Sequence, residues 1–144
     1  MKQNAKLIKR NKYANFNFFI FKEYLCGLIL EGIEVKAFRE GRVKIENSYV
    51  KVLDGEVYLI NAITDNAQSR NIKLLLKKSQ IREIANHLKQ KGNVVIPLSI
   101  LLSHNLIKIE VGAGRGKKKY DKHKSIIDKE NIKYARNFVG KMPF

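Results

Sequence analysis

A single cysteine, Cys26, leaves the chain without an intramolecular disulfide and without the thiols for a four-cysteine zinc site. Acids are scarce as well: 13 Asp and Glu stand against 29 Lys and Arg, a net charge of +16. That balance excludes an ordinary acidic-surface metabolic enzyme and points to a polyanionic partner. Long apolar runs are missing. Residues 16–21 and 28–30 are broken by Lys22, Glu23 and Glu31, whereas a bilayer-crossing helix needs about 20 apolar residues in a row. The basic N-terminus precedes too short an apolar run for a signal peptide, and no small-residue cleavage site follows, so a cytoplasmic protein in a reducing compartment is expected. Catalytic groupings are missing too. His87, His104 and His123 fall in a predicted helix, a turn and a tail, with no pair at metal-ligand spacing, and each reads as an ordinary surface histidine. Glu31 and Glu34 read as a helix cap or solvated charge, and Cys26 as a small buried strand residue. The run from Gly112 to Lys118 lacks the spacing of a nucleotide phosphate loop. No enzyme and no cofactor is expected.

What is present is one domain's worth of chain. At 144 residues it is long enough to bury roughly 70% of its unfolded surface without staples. The charge is uneven. Residues 1–12 hold five bases and no acid; residues 112–144 hold ten bases and three acids; the stretch between is nearly balanced. The expected organisation is therefore a basic N-terminal arm over 1–12, a globular body over 13–112, and a basic tail over 113–144. Basic arms of this kind commonly bind nucleic acid and order on contact.

Within the body, residues 16–30 are rich in Phe, Ile, Tyr and Leu and predict a long strand, with Gly27 marking a bend. Residues 34–40 predict a short helix stopped by Gly41. Asp54-Gly55 between two apolar runs predicts a hairpin of 50–53 with 56–60. Residues 64–72 are polar and read as a loop. Ser79 predicts the N-cap of a helix to residue 91, with Ile81, Ile84, Ala85 and Leu88 on one face and Gly92 ending it. Residues 94–102 and 106–111 predict a second hairpin, in which Ile107, Ile109 and Val111 alternate with Lys108 and Glu110. Pro97 argues for a strand edge or a bulge there. The sum is a mainly β, α+β fold, a small β-barrel of the oligonucleotide-binding type with two or three helices; an open α+β sheet is the rival. The glycines at 112, 114 and 116 are expected to lie outside any core. Residues 125–138 have the apolar spacing of a helix that is marginal alone in water. The tail spans about 100 Å if extended.

Asn11-Lys12 with Ala14, Phe19-Ile20, Gly27, Glu34-Val35-Lys36 with Arg39 and Gly41, Ser48-Tyr49-Val50, Asp54-Gly55-Glu56, the run from Lys73 to Leu76, Lys91-Gly92, Pro97-Leu98, Lys108, Gly112 to Lys118 and Asp121-Lys122 follow one another in a fixed order. This ordered set, spanning about residues 11–123, resembles the SsrA-binding protein (SmpB) family. The resemblance implies a non-enzymatic RNA-binding protein with an oligonucleotide-binding barrel. Its partners would be the tRNA-like domain of transfer-messenger RNA, the ribosome at its small-subunit decoding region and mRNA path, and, through the RNA, elongation factor Tu with GTP. The function implied is trans-translation: rescue of stalled ribosomes and tagging of incomplete proteins. A general ribosome-associated RNA chaperone, a small nuclease and a ribosomal structural protein are the other classes the composition allows.

The resemblance assigns RNA contacts on the body to Asn11, Lys12, Gly27, Glu34, Lys36, Arg39 and Lys73. It assigns the ribosomal tail function to Gly116, Lys117, Lys118, Tyr120, Asp121 and Lys122, with Tyr120, in a position where His is common, stacking on a decoding-site base. The chain departs from the family pattern at Asn15, Phe16, Leu25, Ile72, Lys77 and His123, and its loop around 65–70 is short. Leu25 stands where a Glu implicated in RNA binding is usual. Extra lysines are expected to compensate by phosphate attraction. Affinity should then fall more steeply with salt, and discriminate less against ordinary tRNA, than in a relative with the usual Glu and His; equal salt slopes in a matched titration would remove the compensation.

Overall fold

The computed structural model describes residues 5–64 and 71–118. Twelve elements follow in order: β1 (Ala5–Arg10), α1 (Ala14–Asn17), β2 (Phe18–Leu28), α2 (Gly32–Arg39), β3 (Val43–Lys44), β4 (Tyr49–Leu53), β5 (Glu56–Ile60), β6 (Ile63–Thr64), β7 (Ile72–Leu75), α3 (Lys78–Lys89), β8 (Asn93–Ser103) and β9 (Leu106–Gly116). Seven strands form one antiparallel sheet in the order β1-β8-β9-β2-β7-β5-β4, and β3 pairs with β6 separately. The fold is mainly β with three helices. The sheet curls so that β4 lies against β8, but no ladder among the described residues closes it into a barrel. Strand β1 pairs along β8 from Ala5↔Ser103 to Arg10↔Ser99 and is the edge strand on that side of the sheet.

Alternation builds the core. Inward residues of the long strands, Cys26, Val57, Leu59, Ile100, Ile109 and Val111, are fully enclosed, and Phe38 of α2 and Ile84 of α3 cap them. Burial pushes the Cys26 thiol up to about 12, so it carries no thiolate at neutral pH. Asp54-Gly55 makes the β4–β5 turn with both residues at positive φ, 51° and 74°, the pairing that a twisted two-residue hairpin requires. His104-Asn105 turns β8 into β9 in the same way.

The sequence expectations shift in four places. The basic arm over 1–12 is not an arm along its length, since residues 5–10 are β1. The predicted first strand begins two residues late because Ala14–Asn17 turn as α1. Helix α3 is capped at Lys77 rather than Ser79: Gln80 Oε1 accepts the Lys77 N–H at 3.1 Å. The fourth shift is the largest. The glycines at 112 and 114 lie in the middle of the sheet, buried in β9 between β8 and β2, so the boundary expected at residue 112 falls inside a strand. A Cβ on Gly114 would sit 2.1 Å from the Phe19 carbonyl oxygen, and one on Gly112 would sit 2.9 Å from both Ile20 and Leu98. Both neighbours are bulged there, β2 between Ile20 and Lys22 and β8 between Pro97 and Ser99, as Pro97 suggested.

Helix α3 is fastened to this sheet by polar groups. Glu83 accepts from Lys22 Nζ and from the Tyr24 hydroxyl, each at 2.8 Å. His87 is not an ordinary surface histidine. Its Nε2 lies 2.9 Å from the Gly114 carbonyl and 3.1 Å from that of Val94, while Asn93 Nδ2 lies 3.4 Å from Nδ1; a neutral ring protonated on Nε2 satisfies all three.

Two outcomes follow. Gly114→Ala should cost about 3 kcal/mol or more, because the added carbon meets backbone; Gly32→Ala, with open space at its Cβ, should be neutral or slightly stabilising, and urea midpoints compare them. The Lys22 and Tyr24 hydrogen bonds hold the Glu83 carboxyl below its ordinary 4.5, so its contribution is present above that value and lost as pH falls through the folded one. Burial first, then Glu83, pushes Tyr24 up to about 12, so its contribution is full below 10 and lost as pH rises toward 12. Melting of the wild type and Glu83→Gln should therefore differ at neutral pH and converge in acid.

Candidate nucleic-acid interface

The residues that the resemblance assigns to RNA fall into separate places, and several are already occupied. Asn11 does not fray at an edge. It is only 6% exposed; its Nδ2 donates to the Pro97 carbonyl at 2.9 Å and its backbone N–H to that of Leu98 at 2.7 Å. Its Oδ1 accepts the Tyr13 N–H at 3.3 Å. Asn11 thus pins the end of β1 to the β8 bulge. Glu34 is also buried; its carboxylate accepts the Glu31 N–H at 2.8 Å and so closes the first turn of α2. Both side chains hold the shape of the surface, whatever else they touch.

The cations are better placed for a polyanion. Lys36 and Arg39 stand three residues apart on the exposed side of α2. Lys12 is exposed beside the open ring of Tyr13. Lys73 lies on the outer face of β7 with Nζ 2.8 Å from Glu56 Oε1. That bond raises the Lys73 ammonium above its usual range and, with the Tyr58 hydroxyl, holds the Glu56 carboxyl below its own. Gly27 sits beside Lys73's strand, but the space over it is taken: a Cβ there would lie 3.2 Å from Leu75 Cβ. Leu75 itself is half-exposed, so in the run over 74–76 Leu74 is core, Leu76 packs against the core half-buried, and Leu75 faces out.

At the end of β9, Gly116 pairs with Phe18, and the Lys117 N–H donates to the Asn17 carbonyl at 2.8 Å. Lys117 Nζ donates to the Asn15 carbonyl at 2.8 Å and lies 5.0 Å from the centre of the Phe19 ring; the Arg115 guanidinium lies 5.5 Å from the same ring. The aromatic at 19 thus fixes two cations where the chain leaves the sheet. Sequence reasoning missed this pairing; Arg115 and Lys117 at alternate positions, beside a Phe-rich strand, were its only signal. Lys118 follows, and Tyr120, Asp121, Lys122 and the helix expected over 125–138 lie outside the described residues. Asn11, Gly116 and Lys117 come together on one cleft of about 530 Å³, with Asn17, Phe18 and Tyr49 in its wall.

The departure at Leu25 has a visible neighbour. Arg10, Ser99, Glu110 and Leu25 stand in one row across β1, β8, β9 and β2, with Glu110 buried next to Leu25. The row keeps one carboxylate where the usual family pattern would add a second. Among the described residues, no cluster of three or more His, Cys, Asp or Glu could hold a metal, and no helix is long and apolar enough to cross a membrane.

Comparison with known proteins shows the family. The family model described as SmpB protein matches residues 8–140. The SsrA-binding protein of Halothermothrix orenii is 46% identical over 135 residues, covering 88% of this chain and 87% of that protein. The SsrA-binding protein of Lachnoclostridium phytofermentans is 40% identical over 143 residues, covering 93% of each. A solved structure described as "tmRNA-SmpB: a journey to the center of the bacterial ribosome" contains a similar chain, with a TM-score of 0.64 and 30% identity over 84% of this chain and 95% of that one. With the β9 glycines buried as the sheet requires and the match running through them to residue 140, this chain belongs to the SmpB protein family.

Proposed function

We propose that this protein binds the tRNA-like domain of transfer-messenger RNA and helps bring it to stalled ribosomes for trans-translation. The observation that carries the reading is the family match over residues 8–140, with SsrA-binding relatives aligned over most of their length. The physical setting supports it. A curled sheet recognises folded RNA by shape, 2′-hydroxyls and splayed bases rather than by reading a groove. A net charge of +16 draws phosphate from a distance. The body contacts fall to Lys12, Lys36, Arg39 and Lys73, with Asn11 and Glu34 holding the surface in shape. In this reading the chain beyond Lys118 enters the mRNA path and Tyr120 stacks at the decoding site. Elongation factor Tu with GTP is met through the RNA, and the setting is cytoplasmic. The protein's part is binding and positioning, with no chemical step of its own.

The working boundary between body and tail is set at Lys118, because a chain ending at Gly112 would lose the last four residues of a central strand. Gel shifts at physiological salt should compare the tRNA-like domain with elongator tRNA, using the full chain and a chain ending at Lys118. Both forms should prefer the tRNA-like domain by about tenfold or more, a difference of about 1.4 kcal/mol. Equal binding of tRNA, or loss of binding with the tail, would reduce the protein to a general electrostatic RNA binder.

A further inference from the structure

The outer face of β4, β5 and β7 is unlike an ordinary wetted sheet. Its inner side chains, Val50, Val57, Leu59, Ile72 and Leu74, fill the core. Alternation therefore sends Tyr49, Lys51, Tyr58, Ile60, Lys73 and Leu75 outward. A solvated antiparallel face normally carries polar side chains. Here most are aromatic or aliphatic, with Tyr49 41% and Leu75 50% exposed. The ladders place Lys51 opposite Tyr58, and Tyr58 opposite Lys73. One row across three strands thus has a ring in the middle and an ammonium on each side, with strands roughly 5 Å apart.

The row is set before anything binds. The Tyr58 hydroxyl donates to Glu56 Oε2 at 3.1 Å, and Lys73 Nζ donates to Oε1 at 2.8 Å. The acid nearest the ring is thereby neutralised and the ring is tethered, which lowers the ordering cost of a contact. Asp54, the other acid of this hairpin, is at its turn. Lys51 makes no ion pair among the described residues.

We propose that Tyr58 is a stacking site for an unpaired base of a single RNA strand, with Lys51 and Lys73 holding the phosphates on either side. Every base has a π-face, and flanking cations supply the attraction for the backbone, which is how single strands are held without sequence choice. An acidic peptide would use the lysines and leave the ring idle. An apolar protein face would have to desolvate both ammonium groups at the centre of its contact, where charge is normally depleted. That the strand is RNA rests on the function proposed above; the stacking geometry does not.

The test uses the full chain and a labelled twelve-nucleotide oligouridine at physiological salt, beside the tRNA-like domain. Tyr58→Leu, which keeps bulk but removes the ring, should weaken oligouridine binding about tenfold, and Tyr58→Phe should stay within about twofold of wild type. Lys51→Gln should lower the slope of log affinity against log salt by about 0.7. Photocrosslinking with 5-iodouridine in the oligomer should mark Tyr58 or Tyr49. Wild-type affinity in Tyr58→Leu, or adducts confined to residues 119–144, would overturn the proposal and leave the face to a protein partner. The crosslink decides the matter even if the Leu variant folds poorly. Loss of preference for the tRNA-like domain, with stacking intact, would instead overturn the function proposed above and not this site.

Discussion

The close approach of β2 to β9 at Gly114 is the constraint on which the rest of the sheet depends. The Phe19 backbone occupies the space that any side chain at 114 would need. Both neighbours of β9 shift register beside this stretch, and Leu98 and Ile20 lie over Gly112. At one end of β2, Phe19 meets Arg115 and Lys117; past the other end the chain enters α2, with Lys36 and Arg39 outward.

The few acids have their own pattern. Glu83 binds Lys22 and Tyr24, Glu56 binds Lys73 and Tyr58, Glu40 binds Arg42, and Glu34 closes a helix. The first two tie separate elements together, and the last two are local. Exposed pairs of this kind contribute little stability individually, yet they place side chains, while Lys36 and Arg39 stand on the exposed side of α2 and Arg115 and Lys117 at the end of β9. The molecule spends its negative charge internally and presents its positive charge.

Much of this was legible in the residues. The Asp54-Gly55 hairpin, the apolar face of α3 and the alternation in β9 all follow from local patterns that the core then uses unchanged. The glycine run misled because glycine has no side chain for hydropathy to register. Continued past Val111, however, the same alternation places Gly112 and Gly114 outward and Ala113 inward, as β9 shows. Strand β1 misled by its charge: two lysines and an arginine around Leu7 and Ile8 read as an arm, and only β8, some ninety residues away, makes them a strand. That the sheet stays open, with β1 at one edge and β4 at the other, was unreadable for the same reason. Among site residues, the exposed cations were found by type. Asn11 and Glu34 were found through the family pattern; the Glu34 cap on the Glu31 N–H follows from their three-residue spacing, whereas the hydrogen bonds of Asn11 to Pro97 and Leu98 join residues that sequence spacing alone does not bring near.

The pairing of β1 with β8 also has a consequence during synthesis. Residues 5–10 are made some ninety residues before their ladder partners at 99–103, and β2 must likewise wait for β9. Until then the growing chain carries unsatisfied strand edges. Long-range pairing of this kind makes folding slow and leaves intermediates prone to association. The lysines of β1 repel one another and any second nascent copy, so the charge that attracts RNA in the finished molecule protects the unfinished one.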